Sequence, residues 1–219
     1  MSEAIMILGD TGTGKSYSCR NLDPATTLLV SVDGKRYPFR LKGWEKLTPD
    51  NVGGSLYHPP KGAGAYSKIQ NAVKTAVSNG KKVIVLDDTQ FLMANEFFAR
   101  AMETGYGKFT EMATKFHTMI DFAGSLPDDV TVYFMHHLEY EGESRIKVKT
   151  CGKMLDSQTN VAGKFTVCLL AQKLDEEYKF CANIPSQGIV KAPPGMFEVD
   201  PMDNDLAAID TNIREYWGI

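Results

Sequence analysis

Residues Gly9-Asp10-Thr11-Gly12-Thr13-Gly14-Lys15-Ser16 match the pattern G-x-x-x-x-G-K-[S/T] at every fixed position. The motif works only between a strand and a helix, and its flanks supply both. Ala4 to Leu8 is a short apolar run, and a polar helical pattern covers Lys15 to Asn21. Glycines let the backbone wrap close to a phosphate chain with successive N–H groups turned inward as an anion nest. A helix starting at Lys15 would add its positive end. In this layout Lys15 reaches the β- and γ-phosphates, the Ser16 hydroxyl binds Mg²⁺, and Tyr17 adjoins the nucleotide.

The rest of the chain continues the alternation. Thr27 to Val32, Lys82 to Leu86, Val130 to Met135 and Phe165 to Ala171 are unbroken β-branched and apolar runs, the mark of parallel strands buried on both faces. Helical patterns fall between them at Tyr66 to Ser78, Gln90 to Met102 and Phe109 to Ser125, with another from about Asp203 to Tyr216. This order predicts an α/β fold with a three-layer, doubly wound and mostly parallel sheet. Two segments depart from it: an irregular excursion at 35–64, and a charged stretch at 138–164 whose Arg145 to Lys149 part alternates like a hairpin strand. At 219 residues the whole, 1–219, reads as one domain.

Composition narrows the partners. A net charge of −3 argues against a basic coat for nucleic acid, though it allows a local groove. Cys19, Cys151, Cys168 and Cys181 have no metal-ligand spacing, and reduced thiols suit a cytoplasmic setting. The strand and loop at the amino end leave no room for a leader peptide, and no apolar run reaches membrane-spanning length.

The second diagnostic run is Val83-Ile84-Val85-Leu86-Asp87-Asp88. An apolar strand ending in an acid, placed after a phosphate loop, is the Walker B pattern, and Asp87 is the candidate Mg²⁺ partner with Ser16. Asp88 has two readings: a catalytic acid that orients water near the γ-phosphate, or an N-cap for the following helix. The next strand ends in His136-His137. Adjacent strand residues face opposite ways, so the pair is poorly suited to one metal ion. A γ-phosphate sensor, His137, is the preferred reading.

Taken together, these residues resemble the RecA-like branch of P-loop ATPases. More narrowly, they resemble small phage-encoded ATP-binding proteins of AAA type on a RecA core, some of which anneal single strands in recombination. Gly34 to Phe39, Asp87 to Phe97, Gly105 to Thr110, His136-His137, Lys149 to Leu155 and Pro194 to Glu198 carry the narrower likeness. The resemblance implies ATP and Mg²⁺ as ligands, ATP hydrolysis, assembly into a homo-oligomeric ring or filament, and binding of single-stranded DNA. It also implies DNA or trans-subunit contacts from the segment holding Arg145, Lys147, Lys149, Lys153 and Lys164; glutamates share that segment, and a solvated mixed-charge face is the alternative. One departure stands out. RecA-type recombinases place a glutamate just after the second strand, where this chain reads Val32-Asp33-Gly34-Lys35. Either Asp33 or Asp88 replaces it, or hydrolysis is slow. A small-molecule kinase would need a lid with several arginines, and the arginines here are scattered. A nucleotide-gated assembly or loading factor is the remaining alternative.

Overall fold

All five apolar runs form strands, nearly at the expected bounds. The computed structural model describes residues 2–142, 145–151 and 160–219. In chain order its strands are β1 (Glu3–Gly9), β2 (Thr27–Ser31), β3 (Leu56–Tyr57), β4 (Val83–Asp87), β5 (Thr131–Glu141), β6 (Arg145–Val148), β7 (Val167–Leu174), β8 (Glu177–Cys181) and β9 (Met202–Asp203). The helices are α1 (Ala65–Ser78), α2 (Gln90–Ala99), α3 (Gly107–Gly124) and α4 (Leu206–Trp217).

The strands form a mixed, mostly parallel sheet in the order β3-β2-β4-β5-β1-β7-β8-β9. Pairings from β3 through β7 are parallel, and those of β7 with β8 and β8 with β9 are antiparallel. β5 separates β1 from β4, and its register sets Gly9 beside His137. The carboxyl ends of β1, β5 and β4 therefore share one edge. Beyond that edge β5 runs on and pairs with β6 as an antiparallel arm.

Both faces of the sheet are covered. Met6, Leu8, Ile84, Leu86, Val132 and Phe134 pack against α1 and α3, whose apolar residues fall at helical spacing (Ile69, Val73 and Ala76; Met112, Phe116 and Met119). Ile5, Ile7, Val85, Tyr133 and Met135 face the other way, against Cys19, Leu22 and the α4 residues Leu206, Ile209 and Ile213. The period-2 split of each strand between two clusters explains why these runs carry no polar alternation.

Several elements differ from the sequence reading, among them β3 and β9, which were not expected, and β5, which runs on past Met135 to Glu141. The helix expected at Lys15 to Asn21 is a 3₁₀ helix, Ser16–Asn21. α2 stops at Ala99 rather than Met102, and Arg100 then ties Glu96, Glu103 and Glu111 together. β8 was not expected at all. Its hairpin with β7 turns through Asp175 (φ 46°) and Glu176 (φ 68°). Such left-handed turn positions usually hold Gly or Asn, so the sequence carries no turn signal there.

Candidate functional site

The loop between β1 and the 3₁₀ helix carries its glycines where the backbone needs them. Gly12 and Gly14 have φ of +79° and +89°, a region that side chains strain to enter. Gly14 has a second reason: a Cβ there would lie 2.9 Å from Cγ of Tyr178. Asp10 braces the loop from within, its carboxylate accepting from Thr11 N at 2.7 Å and its carbonyl from Thr13 Oγ1 at 2.8 Å. Lys15 is 6 % exposed, and its Nζ donates to the carbonyls of Gly9 and Asp10 at 2.7 and 2.8 Å. Burial lowers its pKa to about 8, against the charges of Asp88, Asp87 and Asp10, which pull upward.

Seventy-one positions apart in sequence, Ser16 and Asp87 meet: the Ser16 hydroxyl donates to Asp87 Oδ1 at 3.0 Å. Burial, then the neighbouring Asp88 charge, raise the Asp87 carboxyl to about 7. Asp88 behaves oppositely. Burial pushes it up as well, but hydrogen bonds from His137 and Lys35 outweigh that and hold it at about 2. Lys35 Nζ lies 2.6 Å from Asp88 Oδ2, and His137 Nε2 lies 3.2 Å from Oδ1. Two adjacent carboxyls are thus driven apart in acidity by what each one touches.

Asp88 is not a helix cap. The N-cap position of α2 is Thr89, with no side-chain cap bond, and Asp88 sits at φ 63°. Left-handed backbone at a non-glycine residue costs about 1 kcal/mol or more and collects at functional sites. Here the carboxylate joins the cavity instead of the helix end.

The two histidines part as strand geometry requires. His136 is fully buried, with pKa lowered by burial to about 4, so its ring is neutral. Its Nε2–H donates to the carbonyl of Lys149 at 2.6 Å, which leaves Nδ1 to accept from the Thr89 hydroxyl at 2.8 Å. His137 faces the cavity, edge-on to Phe91.

These groups line one cavity of about 480 Å³, within the range of small-molecule sites. Its wall includes Thr11 to Tyr17, Asp87, Asp88 and His137, together with Lys35, Arg36, Tyr37, Phe91 and Tyr178. Gly9 and Asp10 form the loop's stem. Asp33 stands outside this wall, paired with Lys61 at 3.3 Å and 3.9 Å from Lys35. Sequence reasoning missed Lys35, which lies in an irregular segment, and Tyr178, which lies on the unexpected β8. For Tyr178 the alternation of Tyr178 and Phe180 was the available signal. Tyr17 pairs with Tyr178 at a centroid distance of 6.1 Å, and Arg20 covers the Tyr17 ring at 4.4 Å.

The donor set suits a Mg²⁺–triphosphate. Mg²⁺ commonly takes one or two carboxylates and completes its shell with phosphate and water; Asp87 would be that carboxylate, with the Ser16 hydroxyl beside it. Among the described residues no group of three or more His, Cys, Asp or Glu could hold a metal ion unaided. The buried hydroxyl of Tyr37, on the cavity wall, has no partner, which suits a site completed by a polar ligand.

The positively charged candidates outside the loop do not gather. Arg145 and Lys147 sit opposite Glu141 and Glu139 across the β5–β6 arm, at 3.7 and 3.6 Å. Lys149 closes the arm's base through its backbone, to His136 and to the carbonyl of His137. Lys164 lies at the other end of the sheet, bonded to Asp121 and His117 beside Glu3. Lys153 lies outside the described residues. Among the described residues no helix is long and apolar enough to cross a membrane.

No model of a known protein family matches the chain, and no curated protein matches it.

Proposed function

We propose that this chain is a Mg²⁺-ATP-binding ATPase with a three-layer, RecA-like P-loop core. The observation that carries the reading is the convergence of Lys15, Ser16 and Asp87 at one sheet edge, with His137 on the strand between. A phosphate loop alone would support any nucleotide-binding class. The insertion of β5 between β1 and β4, bringing His137 beside Gly9 and against Asp88, supports the RecA-like branch.

In this reading Ser16 and Asp87 hold Mg²⁺, which supplies charge neutralisation at the β- and γ-phosphates when bound. Lys15 leaves the carbonyls of Gly9 and Asp10 for the phosphates. Tyr17 and Tyr178 offer aromatic faces beside the loop for the base. Asp88, with His137 holding it, orients water near the terminal phosphate. The contacts with His137 and Lys35 hold Asp88 ionised, which suits it to orienting a water. Asp33, tied to Lys61, serves less directly.

The wider proposal is action on single-stranded DNA by a ring or filament, in recombination or annealing of a phage kind. The supporting feature is mechanical. His136 links the arm, through Lys149, to the strand that carries His137, so nucleotide state and arm geometry are coupled. A second reading, an assembly or loading factor with protein partners, is favoured by the cross-strand neutralisation of Arg145 and Lys147. The test is ATP turnover with and without single-stranded DNA, beside particle size with a non-hydrolysable analogue. Stimulation by DNA with ring or filament formation supports the first; slow turnover indifferent to DNA, with nucleotide-dependent assembly, supports the second. Absence of any Mg²⁺-dependent ATP binding would overturn both.

A further inference from the structure

Lys35 occupies a place that the functional reading does not explain. It emerges from the irregular segment after β2, with its side chain 58 % exposed, and reaches the cavity's most acidic point. Its Nζ lies 2.6 Å from Asp88 Oδ2, 3.9 Å from Asp33 Oδ2 and 5.3 Å from the Phe91 ring centre. It therefore bridges both acids that could serve hydrolysis. A long, exposed side chain on irregular backbone moves at little cost, whereas Asp88 is pinned by its own backbone and by His137. If Lys35 leaves, Asp88 keeps a hydrogen-bond partner.

The charges around the cavity make that departure useful. Lys15 and Lys35 are its inner cations, and Asp87 and Asp88 face them. A terminal phosphate entering beside Asp88 would meet an adjacent carboxylate, and like charges at such range repel strongly. A mobile ammonium already resting on that carboxylate is placed to screen the two from each other.

We propose that Lys35 is the residue by which this site tells a nucleoside triphosphate from a diphosphate. It rests on Asp88 in the empty site and moves to the terminal phosphate when one is present. The inference depends on the nucleotide reading above and adds a specificity residue to it. A diphosphate, which does not extend to Asp88, leaves the Lys35–Asp88 pair in place.

The experiment is a titration of ADP and of the β,γ-imido analogue of ATP, both with Mg²⁺, against wild type, Lys35→Ala and Asp88→Asn. Lys35→Ala should weaken the triphosphate analogue about ten-fold and leave ADP within about two-fold. Asp88→Asn should tighten the analogue relative to ADP by releasing Lys35. ADP binding by Lys35→Ala shows in the same titration that the site is folded. The inference is overturned if Lys35→Ala leaves the ratio of the two affinities unchanged, or if Asp88→Asn fails to tighten the analogue relative to ADP. If wild type binds neither nucleotide, the phosphate-loop reading falls and this one with it, a result distinct from an unchanged ratio.

Discussion

At the amino end of β5, Asp210 of α4 accepts from the Thr131 and Tyr133 hydroxyls at 2.6 and 2.8 Å and from Arg214 Nε at 2.6 Å. Arg214 spends its remaining reach on the carbonyls of Asp129 and Lys82 and on Thr131. At the carboxyl end, Asp87 and Asp88 meet Lys15, Lys35, Ser16 and His137. Both clusters put buried carboxylates beside cations at the margin of one sheet, yet they are built differently. The first is closed: its partners are satisfied by one another and by backbone that cannot move. The second is open. Lys15 rests on carbonyls that also serve the loop, burial and the adjacent Asp88 charge raise the Asp87 carboxyl to about 7, and the Tyr37 hydroxyl has no partner. A closed cluster pins a helix to a sheet; an open one leaves its groups able to change partners.

Four variants should separate the two ends. Asp210→Ala carries the largest loss of stability. It strands Arg214 and two hydroxyls, and should cost about 3 kcal/mol of folding stability in denaturant titration, with nucleotide affinity retained. If affinity falls in proportion, the ends are not independent. Lys15→Ala should do the reverse, weakening Mg²⁺-ATP binding by about a hundred-fold while leaving stability nearly unchanged. Calorimetric titration checks it, and surviving affinity would sink the reading of the loop.

Asp87→Asn addresses the proton. The folded protein holds the Asp87 proton up to about pH 7, whereas the unfolded chain releases it near 3.8. Between those values the folded state binds more protons, so this residue's contribution to stability falls as pH rises. His136, lowered from 6.5 to about 4, works the other way over part of that range, so only the difference between variant and wild type isolates Asp87. That difference should favour the variant increasingly from pH 4 and level off above 7, at about 4 kcal/mol. Thermal melts of the ligand-free protein across that range measure it, and a flat difference would mean that Asp87 is ionised without a cation. The smallest effect belongs to the arm. Reversing charge at Lys147 and Lys149 should change stability by about 0.5 kcal/mol or less and leave ATP affinity alone. Salt-sensitive retention of single-stranded DNA should fall in the same variant; unchanged retention would remove the arm from any DNA surface.

Much of this was legible in the chain because local pattern and global fold agree. The buried strands of a parallel sheet cannot be anything but apolar runs, so β1, β2, β4, β5 and β7 were readable by composition alone. β8 was not, since its turn uses Asp175 and Glu176 where a glycine would have announced it. The parting of His136 from His137 followed from the period of a strand. Asp88 could be read two ways because a cap and a catalytic acid ask for the same residue type, and only its left-handed backbone separated them. Lys164 was grouped with the arm because it is close in sequence, though the chain has by then returned to the far end of the sheet.

The sequence by itself determined the glycine-rich loop after β1, the acid-terminated strand and the layered α/β plan, because each rests on spacing within a few residues. Tertiary structure alone decided which cations meet which acids: Lys35 on Asp88, Ser16 on Asp87, Tyr178 against Gly14. Those pairings join residues from separate elements, brought to one edge by a strand order that no local pattern encodes, and the acidity of each group follows from that company.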